Sequence, residues 1–234
     1  MSVSARPRQI VAIGGSSPAT RPLGIPLYRE VLRLAGVERP RVGYLGTASG
    51  DSPDGLNYMT FMVEALGGEM RPLSLFRPPT RDLRDYLLAS DVILVGGGNT
   101  RNLLVLWREW GIDGILSEAW DQGIILAGSS AGGLCWFDNG VTDSFGPGYE
   151  SLDGLGWLSG SFCPHWDGEA ERQPRYRELL SSGVLPPGWA VDEQVGLHFV
   201  GGEVSRVLTV RRDATAYRAN ADGVEPVTAE LLVL

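Results

Sequence analysis

The sequence predicts an α/β fold: a doubly wound, mostly parallel sheet with antiparallel hairpins toward its C-terminal end. Two observations carry this. Over the first two-thirds of the 234 residues, short apolar runs alternate with helical patterns, and the runs end in glycine-rich turns. Strands of that kind are buried on both faces, as in parallel sheets covered by helices. From Trp189 onward the pattern changes to short alternating runs broken by turns, which signals hairpins.

Taken in order, Gln9–Ile13 is a buried strand ending in Gly14-Gly15-Ser16-Ser17, and a helix follows with Ile25, Tyr28, Val31, Leu32 and Leu34 on its apolar positions. Arg41–Leu45 is the second strand, residues 58–66 a helix and residues 70–75 a strand. Leu83–Leu88 is helical, and the strand at 91–95 ends in Gly96-Gly97-Gly98-Asn99-Thr100. Helices at 103–107 and 112–120 precede the apolar run Ile124-Ile125-Leu126. Beyond Gly140, residues 143–168 read as loops with one strand near 157–162. A helix at 175–180 and a turn at Pro186-Pro187-Gly188 lead into the hairpins at 190–218. No repeat, linker or low-complexity segment interrupts this order, so residues 1–234 read as one domain.

A formal net charge of −8 argues against nucleic acid or an anionic membrane surface as partner. There is no apolar run long enough to span a bilayer, and Met1 to Arg8 is too polar for a signal peptide, so a cytoplasmic location is expected. Cys135 and Cys163 form neither a disulfide framework nor a metal pattern, and Cys135 reads as a packing residue. Trp107, Trp110 and Trp120 suit either helix packing or a homodimer face.

The chemistry centres on Ala127-Gly128-Ser129-Ser130-Ala131-Gly132-Gly133. Ser130 occupies a Gly-x-Ser-x-Gly turn between a strand and the apolar start of a helix, the pattern of a nucleophile elbow. The N–H of Ala131, at the helix start, faces a developing oxyanion. A serine nucleophile needs a base, and the chain has two histidines. His165 follows a strand end in a loop; His198 lies between Leu197 and Phe199 in a hairpin strand, so His165 is the favoured base. The acid that orients the imidazole comes from Asp167, Glu169, Asp192 or Glu193, and at most one of the adjacent pair Asp192 and Glu193 faces the histidine.

The set Val95-Gly96-Gly97-Gly98-Asn99-Thr100, Ala127-Gly128-Ser129-Ser130-Ala131-Gly132 and Pro164-His165-Trp166, followed by Arg172 and Arg175-Tyr176-Arg177-Glu178-Leu179-Leu180, resembles the peptidase E and cyanophycinase family, peptidase family S51. The resemblance runs in element order from about Gln9 to Val210. It implies a flavodoxin-like sheet of the class I glutamine amidotransferase kind, with Ser130 as nucleophile and His165 as base. It further implies an oxyanion hole from Ala131 and Gly98, and a third residue in Val191-Asp192-Glu193-Gln194, with Glu193 aligned and Asp192 the alternative. Peptidase E cleaves dipeptides that begin with aspartate, so Arg172 and Arg175 are expected to hold a substrate carboxylate. The segment 166–170 is shorter than its peptidase E counterpart, which leaves aspartyl specificity open. The implied function is a serine peptidase acting on small peptides, without metal or organic cofactor. The alternatives are a β-aspartyl peptidase of the cyanophycinase kind, an esterase or amidase, a relative lacking dipeptidase activity, or a non-catalytic binding module.

Overall fold

The computed structural model describes residues 6–17 and 19–233; the polar residues 1–5 of the N-terminal segment read above lie outside them. The elements are β1 (Gln9–Ile13), α1 (Ile25–Leu34), β2 (Arg41–Leu45), α2 (Pro53–Ala65), β3 (Glu69–Leu73), α3 (Leu83–Leu88) and β4 (Val92–Val95). Then come α4 (Thr100–Trp110), α5 (Ile112–Asp121), β5 (Ile125–Ser129), α6 (Ala131–Leu134), β6 (Phe137–Thr142), β7 (Glu150–Asp153) and β8 (Leu158–Cys163). The chain continues through α7 (Arg172–Ser181), β9 (Gly188–Val191), β10 (Val195–Val200), β11 (Glu203–Thr209), β12 (Ala216–Ala219), β13 (Val224–Val227) and β14 (Glu230–Leu231).

These strands form two sheets. The central eight-stranded sheet has the order β14-β11-β10-β1-β5-β4-β2-β3, in which β1, β5, β4, β2 and β3 are parallel. The second, six-stranded sheet runs β13-β12-β9-β8-β6-β7. Alternation along the central strands sends successive side chains to opposite cores. Val11, Ile13, Val42, Tyr44, Val92 and Leu94 pack with α1 and α2. Ile10, Ala12, Ile93 and Val95 face the other way, where α4, α5 and the second sheet cover them. Trp107, Trp136, Trp157 and Trp120 form a chain of rings 5.4–6.0 Å apart in that layer. Trp107 and Trp120 are therefore core residues, while Trp110 is 43% exposed. Cys135 and Cys163 are buried and unpaired. No helix among the described residues is long and apolar enough to cross a membrane.

The structure departs from the sequence reading in three places. α2 begins at Pro53, where Ser52 and a first-turn proline start the helix, five residues before its apolar pattern becomes regular. The stretch read as loops after Gly140 contains β7, paired antiparallel with β6. The polar sequences of β6 (FDNGVT) and β7 (ESLD) carry no strand pattern. The C-terminal strands divide between the two sheets. β10 pairs antiparallel with β1 and extends the central sheet, whereas β9 and β12 belong to the second. The chain crosses from one sheet to the other in residues 192–194, between β9 and β10.

Candidate active site

The carboxyl ends of β1, β4 and β5 meet beside the ends of β8 and β9, and each contributes a turn. At the end of β5, Ser130 has φ 55° and ψ −112°, a strained conformation for a residue with a side chain. Its N–H donates to the Ile13 carbonyl (3.0 Å), and its own carbonyl accepts from Gly133 and Leu134. The flanking glycines are steric requirements. A Cβ at Gly128 would overlap the Gly132 backbone, and one at Gly132 would overlap the Val95 backbone. The elbow is thus pressed between β1, β4 and its own helix.

His165 follows β8 with φ 53°. Its N–H donates to Gly14 (2.7 Å) and that of Trp166 to Val191 (3.1 Å), so its loop is pinned between the ends of β1 and β9. Gly15, with φ 113°, lies against the imidazole, and a Cβ there would overlap the ring.

Glu193 occupies the turn between β9 and β10. The following residue, Gln194, has φ 64° and donates its N–H to the Gly15 carbonyl (3.0 Å). Asp167 accepts the Glu193 N–H (2.8 Å), and Arg211 Nη1 donates to Asp167 (2.6 Å) and to the Glu193 carbonyl (3.4 Å).

These turns bring three side chains into one hydrogen-bonded line. Ser130 Oγ is 2.9 Å from His165 Nε2, and His165 Nδ1 is 3.0 Å from Glu193 Oε1. An ionised carboxylate only accepts, so Nδ1 carries the proton and Nε2 is left to accept from the serine hydroxyl. The other oxygen of Glu193 accepts from Thr20 Oγ1 (2.8 Å). Burial disfavours ionisation of Glu193, but the bonds from His165 and Thr20 outweigh it and hold the carboxyl below its ordinary value.

Asp192, the alternative acid, points elsewhere. Its Oδ2 accepts from the Thr215 N–H (2.9 Å) and the Tyr217 hydroxyl (3.4 Å). Its Oδ1 is buried without a partner among the described residues. Burial raises its pKa to about 6. Glu169 pairs with Arg172 and accepts from the Tyr149 hydroxyl. His198 is buried in β10, bonded through Nε2 to Gln9 (2.9 Å).

A cavity of about 400 Å³ opens beside Ser130 and His165, lined by Gly96, Gly97, Gly98, Tyr28, Tyr44 and Tyr58 among others. Gly97 packs against Ser130, where an added Cβ would lie 3.3 Å from the serine Cβ. Gly98 has φ 138° and abuts the Ala48 carbonyl so closely that no side chain fits. Among the described residues, the N–H groups of Gly98 and Ala131 have no protein acceptor. No group of three or more His, Cys, Asp or Glu side chains among the described residues is arranged to hold a metal ion.

The two arginines expected at the substrate are engaged elsewhere. Arg172 is 3% exposed, donates to Glu169 (2.7 Å) and the Val141 carbonyl (2.9 Å), and stacks on Tyr149. Arg175 donates to the Tyr149 carbonyl and pairs with Glu178 and Glu150. Neither lines the cavity. Their helix, α7, packs on the far side of the second sheet through Tyr176, Leu179 and Leu180. Sequence reasoning missed Arg21, Tyr28, Tyr44 and Tyr58 on the cavity and Thr20 on Glu193; Thr20 and Arg21 lie in the segment after β1, which carries no recognisable motif.

The family model of peptidase family S51 matches residues 10–207. The uncharacterized peptidase YgaJ of Bacillus subtilis (strain 168) is 47% identical over 211 residues, spanning 90% of this chain and 91% of that protein. Among solved structures, a peptidase from an acI-B1 Actinobacterium superposes with a TM-score of 0.69 at 17% identity, covering 96% of each chain. A Listeria monocytogenes EGD-e protein assigned to peptidase E gives a TM-score of 0.66 at 17% identity, over 88% of this chain and 100% of that one. At that level of identity the two structures establish a shared fold.

Proposed function

The chain belongs to peptidase family S51, and from that premise we propose that it is a serine peptidase hydrolysing short peptides through Ser130, His165 and Glu193. The observation that carries this is the unbroken hydrogen-bonded line from the Ser130 hydroxyl through His165 to Glu193. Ser130 Oγ attacks the scissile carbonyl while His165 Nε2 takes its proton. Glu193, kept ionised by His165 and Thr20, stabilises the imidazolium that results. The N–H groups of Ala131 and Gly98 receive the developing oxyanion, a donor pair of the kind whose individual removal costs ~3 kcal/mol in the barrier. His165 then protonates the leaving amine, and water, deprotonated by the same imidazole, releases the acyl group. A cavity of about 400 Å³ lies in the range for small ligands, which supports peptides of a few residues as substrates.

Incubation with a fluorophosphonate, read by intact mass, tests the nucleophile together with hydrolysis of a dipeptide panel. Labelling and peptide cleavage are expected in the wild type and absent from Ser130→Ala. Labelling that persists in Ser130→Ala would overturn the assignment. Cleavage of acyl esters with no peptide cleaved would redirect the same triad to an esterase.

A further inference from the structure

Apart from His165, the charged groups on the wall of the cavity are one guanidinium, Arg21, and one carboxylate, Asp54, and both residues are exposed. The other polar side chains of the lining are mostly serine and tyrosine hydroxyls. One of these hydroxyls differs from the rest. Tyr58, Tyr86, Tyr149, Tyr176 and Tyr217 each bond their hydroxyl to a protein group, and Tyr28 sets its own against Ser129, whereas that of Tyr44 has no protein partner among the described residues. Tyr44 is nevertheless 5% exposed. A buried polar group left without a partner costs free energy, and the fold keeps this one facing the cavity.

Its position is fixed by the surrounding chain. Tyr44 is the next-to-last residue of β2, and its ring packs in the core beneath α1 and α2. A Cβ at Gly96 would lie 2.6 Å from the hydroxyl oxygen and one at Gly55 3.9 Å from it, and both glycines line the cavity. Gly96 opens the turn whose next residue, Gly97, packs against Ser130. The absent side chain at Gly96 is therefore room for the phenol oxygen. Burial and then the Asp51 charge push the Tyr44 pKa up to about 12, with Arg21 acting the other way. The group is thus a neutral phenol, able both to donate and to accept. A carboxylate buried against it would meet the Asp51 charge with no fixed cation to pair with, and an alkyl group would leave the hydroxyl unbonded.

We propose that Tyr44 is a specificity-determining residue of this cavity, and that the cavity takes a peptide side chain that is neutral and hydrogen-bonding, a carboxamide. This rests on the cavity being the substrate pocket of the peptidase proposed above. The phenol satisfies its hydrogen bond only with such a ligand in place, and a site of that kind rejects isosteres that lack the bonding group.

Calorimetry on the inactive Ser130→Ala protein reads the preference without turnover. Asn-Leu is compared with its near-isosteres Leu-Leu and Asp-Leu, and Gln-Leu with Met-Leu, in Ser130→Ala and in Ser130→Ala/Tyr44→Phe. Each carboxamide is expected to bind at least about tenfold more tightly than its partners with Tyr44 present, and within about twofold of the apolar one with Tyr44→Phe. Thermal denaturation of the unliganded proteins supplies a second readout. Because the hydroxyl has no protein partner, Tyr44→Phe is expected to melt at or above the temperature of its parent. An equal effect of Tyr44→Phe on all five dipeptides, tighter binding of Asp-Leu or Leu-Leu than of Asn-Leu by Ser130→Ala, no binding by any of them, or a clear fall in melting temperature overturns the proposal. Failure of Ser130 to label with fluorophosphonate in the wild type sinks the peptidase function instead, and the side-chain preference is still read from the binding series.

Discussion

Glu193 and Asp192 are neighbours in sequence and opposites in environment. Glu193 faces His165 and Thr20 and is kept ionised by them. Asp192 faces the other way, toward Thr215, Tyr217, Asp167 and Arg211, with one oxygen bonded and the other buried alone. Removing the charge from each therefore has different consequences. On the proposed mechanism, Glu193→Gln is expected to lower kcat about a thousandfold or more, as loss of the acid does in serine triads. Asp192→Asn is expected to leave kcat within a few-fold of wild type and to change the pH dependence of stability instead. Burial, the main cause, raises the Asp192 pKa from 3.8 to about 6 in the folded state, so the native protein holds this proton longer than the unfolded chain. Stability from this group is therefore present below about pH 4 and falls as pH rises to about 6, by at most about 3 kcal/mol. Chemical denaturation from pH 4 to 8 should show that decline in the wild type and a flatter profile in Asp192→Asn. An unchanged slope would show that Asp192 does not carry it.

At the scale of elements, the site is made by turns whose shape leaves no room for side chains. The turn after β1 receives the imidazole on one side and the backbone of Gln194 on the other. Gly15 has a φ that L side chains rarely adopt, and its missing Cβ is the space the His165 ring fills. Gly15→Ala should cost about 1–3 kcal/mol of stability and displace the imidazole from Ser130. The expected signature is a folded protein by circular dichroism whose fluorophosphonate labelling is slowed far beyond its loss of stability. Labelling at the wild-type rate would show that the turn relaxes without moving the histidine. Much of this element was legible. The sequence Gly14-Gly15 after an apolar run marks a tight turn, but nothing local announces that a histidine 150 residues later occupies the vacant space.

At the scale of the whole molecule, the hydrogen-bonded line Ser130–His165–Glu193 spans a joint. Ser130 stands on the central sheet, His165 follows a strand of the second, and Glu193 lies where the chain crosses between them. Arg211, just beyond β11 of the central sheet, clamps that crossing by bonding both Asp167 and the Glu193 carbonyl. Arg211→Ala should therefore reduce stability by about 1–3 kcal/mol, the cost of losing partly buried charge-assisted bonds. It should also lower kcat more than it raises KM, because it loosens the acid and leaves the cavity walls in place. Thermal denaturation together with steady-state kinetics on one dipeptide separates the two effects. A change in stability alone would make Arg211 a purely structural clamp.

The parallel strands β1, β2, β4 and β5 were legible because each is a short apolar run with a glycine turn at its end, and burial on both faces demands that composition. The serine elbow was legible for a similar reason, since backbone crowding at Gly128 and Gly132 writes itself into a local motif. With two histidines in the chain, expecting His165 beside Ser130, where the structure has it, needed little more than its position at a strand end. The division into two sheets was not legible, because β6 and β7 are polar strands held by their neighbours rather than by their own pattern. Nor was the choice between Asp192 and Glu193, which depends on which way a two-sheet crossover turns each side chain. The family resemblance assigned the substrate role to arginines of α7, yet packing sends them to acids and carbonyls away from the cavity. The guanidinium that lines the cavity comes from the unremarkable segment after β1. Local sequence fixes conformations that sterics and burial enforce within a few residues. Which charged side chains share a cavity is decided by contacts between segments as distant as Thr20 and Glu193, and only the folded chain brings those together.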